Sequence, residues 1–115
     1  MNSKQLWKVE YKKEIERAIL ARSDGNEGMA RVCARRAAGI IIGEYLNQLG
    51  YTGLNNSAYD RLSFFTTLPE VDENYKAIAR HFLIKVNLDH NLPMKADLIS
   101  EAIWLKENLI KNEND

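Results

Sequence analysis

NEGMARVCARRAAGIIIGEYLNQLG, residues 26–50, is the stretch that decides the fold. Asn26 is a strong N-cap residue, and Glu27 places negative charge in the first turn, where it complements the helix dipole. Leu49-Gly50 supplies a helix stop. Between these signals, apolar or small residues lie on almost every side, and a helix of that kind has to be enclosed by others. Gly39 and Gly43 each cost about 1 kcal/mol relative to alanine in a helix interior, so close approach of a neighbouring helix is their physical justification.

The rest of the chain supplies the enclosing helices. Trp7, Tyr11, Ile15, Ala18 and Ile19 recur at three- and four-residue spacing and predict a first helix over 3–22, ended by Ser23-Asp24-Gly25. Asn56 or Ser57 caps a short third helix with Ala58, Leu62 and Phe65 inward. Pro69 marks the start of a fourth carrying Tyr75, Ile78, Ala79, Phe82 and Val86. A polar connection over 87–93 precedes a last helix over 94–111, with Leu98, Ala102, Leu105 and Leu109 on one stripe, widened by Ile99, Ile103 and Trp104. Residues 1–4 and 112–115 are expected to fray. The expectation is an all-α single domain over 1–115: a compact up-down bundle of four longer helices plus one short helix.

Sixteen basic and sixteen acidic side chains balance in 115 residues, so no bulk positive field recruits nucleic acid or a membrane surface. Nucleic acid is not indicated by charge. No run approaches the length of a membrane span, and the N-terminal residues lack a signal-peptide core. One cysteine, Cys33, fits a reducing compartment, and a cytoplasmic location is expected. Residues 1–50 sum to +3 and residues 96–115 to −3, which favours attraction between the chain ends or between two copies. The apolar area that a 115-residue bundle can spare suits a two-fold contact through helix faces, and a homodimer is expected.

The conspicuous polar residues lie on the second helix. Arg31 and Arg35 fall on its least apolar face, four residues apart, where like charges repel and an anion would relieve them. Glu27 stands four residues before Arg31 in the favourable order for a pair. Arg36 and Glu44 fall inside the apolar arc and are about 12 Å apart along the axis, too far to pair with each other. Each therefore needs a partner from another helix, as a salt bridge fixing register or as part of a polar pocket. Arg31, Arg35, Arg36 and Glu44 are the candidate ligand-binding residues. His81 and His90 have no cysteine or carboxylate at metal-ligand spacing, so no metal site and no cofactor is expected. Cys33, among apolar neighbours in mid-helix, reads as an inert core thiol.

The alanine-rich second helix (ARVCARRAAGIIIGEYL), the short helix at DRLSFF and the terminal ADLISEAIWL helix together resemble the small bacterial helical HEPN domains. That resemblance implies dimers that serve as toxin ribonucleases or as nucleotide-binding partners of minimal nucleotidyltransferases. The ribonuclease members carry an arginine shortly before a histidine. Here KVNLDH places Lys85 before His90 instead, and lysine cannot reproduce the bidentate guanidinium fork on phosphate. A non-enzymatic interaction or ligand-binding module is the favoured reading. An RNA-cleaving or nucleotide-binding toxin-system component is the alternative, the RNA-cleaving form having Lys85, His90 and Asn91 at the reacting phosphate and Arg31 or Arg35 steering it.

Overall fold

The structure is a computed structural model that describes residues 6–84 and 96–110. Five helices follow in order: α1 (Leu6–Ser23), α2 (Glu27–Gln48), α3 (Ala58–Phe65), α4 (Glu73–His81) and α5 (Leu98–Leu109). No strand occurs among the described residues, and the chain is all-α. α2 is the central rod: it packs against α1, α3 and α5. Its buried residues are small or branched, Ala30, Cys33, Ala34, Ala37, Ala38, Gly39, Ile41, Ile42 and Leu46.

α1 and α2 form a hairpin with a very short connection. Gly25, at φ 80°, lets the chain reverse. The Asn26 N–H then donates to the Ala21 carbonyl (2.8 Å) and the Gly25 N–H to Arg22 (3.0 Å), closing α1 in a Schellman motif. Asn26 also opens α2, its side chain accepting from the Met29 N–H at 3.1 Å. The same motif closes α2 at Gly50 and delivers Tyr51 edge-on to Phe64.

The inward stripe of α1 departs from the expectation at Ile19, which is 52% exposed. Each step of four residues advances the side chain by about 40° around a 3.6-residue helix. The series Tyr11, Ile15, Ile19 therefore drifts around the helix until Ile19 leaves the buried face, on which Ile15, Ala18 and Ala21 lie. Met29, in the first turn of α2, is also exposed.

The second half has shorter helices than the expected bundle. Pro69 does not begin a helix: the Val71 N–H donates to the Leu68 carbonyl at 3.3 Å, so proline takes the second position of a turn. Buried Leu68 and Val71 anchor that turn in the core. α4 starts after Asp72 and spans 9 residues. Val86 lies outside the described residues. α5 starts at Leu98 because Asp97 caps it, accepting from the Ser100 N–H at 3.3 Å and from its hydroxyl at 3.0 Å. Two short helices, α3 and α4, thus stand beside three longer ones.

Arg22 ties three segments together. Its guanidinium makes a two-toothed contact with Glu27 (3.0 and 2.8 Å) and a third bond to Asp97 (3.0 Å). The end of α1, the start of α2 and the cap of α5 are joined at one point. Glu27 is therefore held by Arg22 and not, as its spacing suggested, by Arg31, whose charge adds a smaller attraction. Hydrogen bonds from Arg22 hold the Glu27 carboxyl below its usual range. Burial alone would raise Asp97, but its bonds to Arg22 and Ser100 outweigh that and hold it low as well.

Depressed carboxyl pKa values mean that the folded state binds protons less readily than the unfolded chain. The stabilisation is present above the ordinary values of 4.5 and 3.8 and is lost as pH falls through the folded ones. The Arg22 side chain is 38% exposed, which discounts the network to about 1 kcal/mol. Arg22→Met is expected to unfold about 1 kcal/mol more easily at neutral pH, and urea titrations should show that gap closing as the solution is acidified below the ordinary carboxylate range.

Candidate anion-binding groove

The buried face of α2 leaves a second face uncovered. Val32, Arg36, Ile40, Gly43 and Asn47 follow one another at intervals of three and four residues and line two adjoining cavities. The larger, about 720 Å³, is bounded by α1, by α2 and by the start of α3. The smaller, about 300 Å³, continues toward the C-terminal end of α2. Both are of a size that holds small molecules. Glu10, Ile40 and Arg61 line both, so the two are lobes of one groove.

The larger lobe concentrates positive charge in a chain with none to spare. Lys13, Arg17, Arg35, Arg36 and Arg61 face Glu10 and Glu14, five cations against two anions, a sum of +3. Arg17 meets Glu14 at 3.4 Å. Lys13, Arg35, Arg36 and Arg61 have no carboxylate within ion-pair distance among the described residues.

Arg61 is the most firmly placed of these. Its Nε donates to the Asn55 carbonyl (2.9 Å), Nη1 to the Gly39 carbonyl (3.4 Å) and Nη2 to Asn56 Oδ1 (3.2 Å). All three acceptors are neutral, so the guanidinium is oriented without being neutralised. The preceding residue, Asp60, is drawn away by Asn55, whose side-chain amide donates to it at 2.8 Å. Ser57 caps α3 by accepting from the Asp60 N–H at 3.1 Å, which fixes the register that puts Arg61 over α2.

The two glycines of α2 make room for this arrangement in different ways. A Cβ on Gly39 would lie 2.5 Å from the Ala58 Cβ and 2.7 Å from its Cα, so α3 rests directly on the α2 backbone there. A Cβ on Gly43 would lie 2.5 Å from Arg61 Nη1 and 2.7 Å from Cζ. The guanidinium lies flat in the space that a side chain would fill.

Arg35 and Arg36 line the larger lobe, and Glu44 lines the smaller. Arg31 lines neither. Arg36 and Glu44 are not in the core, contrary to the wheel-based expectation: Arg36 is exposed, Glu44 is half-buried, and no charged residue is buried among the described ones. The arc that holds them, with Val32 and Ile40, is a groove wall rather than a core face. Glu44 accepts from Gln48 Nε2 one turn along its own helix (3.1 Å) and makes no interhelical salt bridge among the described residues. Lys85, His90 and Asn91 lie outside the described residues.

His81, the other histidine singled out, places Nδ1 at 2.8 and 3.0 Å from the two Glu101 oxygens and joins α4 to α5. Among the described residues no group of histidines, cysteines and carboxylates could hold a metal ion. Burial, reinforced by the Glu14 carboxylate, pushes the Cys33 thiol up, so it stays protonated at neutral pH and is a poor nucleophile.

The sequence reading missed Arg61, Lys13 and Arg17. A usable signal existed for the first: a helix glycine at 43 that packing against a small residue does not explain needs a flat occupant, and an arginine on the facing helix is one. No described helix is long and apolar enough to cross a membrane. The chain matches no family model, no curated protein and no solved structure.

Proposed function

We propose that this protein is a non-enzymatic binding module that takes an anionic group, of the phosphate class, in the groove between α1, α2 and α3. The observation that carries this reading is Arg61, held by three neutral acceptors beside Arg35, Arg36 and Lys13. A surface arginine is ordinarily matched by a carboxylate or left waving in solvent. This one is preorganised, so little side-chain freedom is lost when an anion arrives. A multiply charged anion neutralises a +3 lining better than a monocarboxylate does.

The reading is tested by isothermal titration with inorganic pyrophosphate at low and moderate salt. Saturable binding that weakens with salt is expected. Arg61→Met should lower the affinity about ten- to hundredfold, the value of one or two charge-assisted hydrogen bonds. Absence of saturable binding in the wild type, or identical affinity in Arg61→Met, would overturn the proposal.

A further inference from the structure

The groove between α1 and α2 does not end at Arg36. Toward the turn that joins the two helices lies a third lobe, of about 450 Å³. Arg17 and Arg36 line it as they line the cationic lobe, so the two are continuous. Beyond these arginines the chemistry changes. Ala21 and Cys33 line the lobe from the buried side, while Leu20 on α1 and Met29 on α2 are 63% and 46% exposed. Either residue alone would be an ordinary surface apolar side chain. Together they give the cationic lobe an apolar extension, one wall from each helix. Asp24 lines the far end, at the turn, where its carboxylate repels an anion. The lobe therefore has a direction, with an anionic head favoured at the arginine end and an uncharged tail toward the turn.

From Arg36 to Met29 is seven residues of α2, or about 10 Å along its axis. About eight saturated carbons in extended form cover that length. We infer that the groove takes a phosphate monoester of an aliphatic alcohol, its phosphate among Arg35, Arg36 and Arg61 and its hydrocarbon chain between Leu20 and Met29. This names a ligand class for the anion-binding reading and rests on it. Methionine suits such a wall, since its unbranched, polarisable side chain adapts to what it contacts. The ligand is a dispersed molecule rather than a bilayer. With sixteen basic and sixteen acidic residues, the chain has no net charge to hold it against an anionic membrane.

The experiment titrates inorganic phosphate, butyl phosphate and octyl phosphate by calorimetry, the esters kept below micelle-forming concentrations. Affinity is expected to rise about twofold per methylene, the value for a methylene half removed from water, so octyl phosphate should bind about tenfold or more tightly than phosphate. In protein labelled at the methionine methyls, octyl phosphate should move the Met29 resonance and inorganic phosphate should not. The double variant Leu20→Gln, Met29→Gln should flatten the series while leaving the phosphate affinity unchanged, which also shows that it is folded. A flat series in the wild type, with saturable phosphate binding, would overturn this inference and leave the anion site standing. A chain-length gain that survives in the double variant would overturn it as well, by placing the chain elsewhere. So would attachment to phosphatidic acid vesicles without a response to dispersed octyl phosphate. Failure of every phosphate probe, pyrophosphate included, would remove both readings.

Discussion

Gly39→Val is expected to destabilise the protein by about 2–3 kcal/mol, the upper range for overpacking a filled interior. The first added carbon meets the Cβ and Cα of Ala58, and Cα belongs to the backbone of α3, which cannot swing aside as a side-chain tip can. α3 would have to lift from α2, and Leu62 and Phe65, both fully buried from that helix, would lift with it. Phe65 packs edge-on against Tyr45 at a centroid distance of 5.9 Å, so the disturbance reaches the last turn of α2. Differential scanning calorimetry should show a fall in Tm of roughly 10 °C or more. Retention of the wild-type Tm would mean that α3 does not rest on the α2 backbone.

Gly43→Ala is expected to do the reverse: to leave stability within about 1 kcal/mol of wild type and to lower the affinity for pyrophosphate about tenfold or more. The added methyl collides only with the Arg61 guanidinium, the far end of a flexible side chain, and alanine favours the helix by up to about 1 kcal/mol over glycine. The helix gains while the arginine is pushed from its three acceptors. Two glycines one turn apart on one helix thus separate structure from binding, and calorimetry on the folded variant reads the second effect directly. Unchanged affinity in Gly43→Ala would contradict the assignment of Arg61 as the positioned cation.

The helical order was legible because its signals are local. Asn26 and Gly50 bracket α2 through bonds between residues three to five apart, and the alanines of α2 announce an enclosed helix. The length of α4 was not legible, because Pro69 suits both a first helical turn and the second position of a β-turn. Buried Leu68 and Val71 decide between them by tertiary packing. Arg36 and Glu44 were expected in the apolar arc and lie instead on a partly open face. Helical periodicity tells which residues share a face but not whether that face is covered by another helix or left as the wall of a groove. Arg35 was readable as a cation seeking an anion; Arg61 was signalled only indirectly, through Gly43, since its position depends on Asn55, Asn56 and Gly39 meeting it from other segments. No periodicity within α3 encodes that meeting.

The central claim is that Arg61 is a preformed, unneutralised cation to which an anion binds. The most direct measurement is the Arg61 Nε–H resonance in ¹⁵N-labelled protein, followed while inorganic pyrophosphate is added. A slowly exchanging, dispersed Nε–H signal before addition, moving saturably together with the amides of Gly39 and Gly43, is the expected result. An averaged Nε–H signal indistinguishable from those of solvent-exposed arginines, unmoved by pyrophosphate, would contradict it.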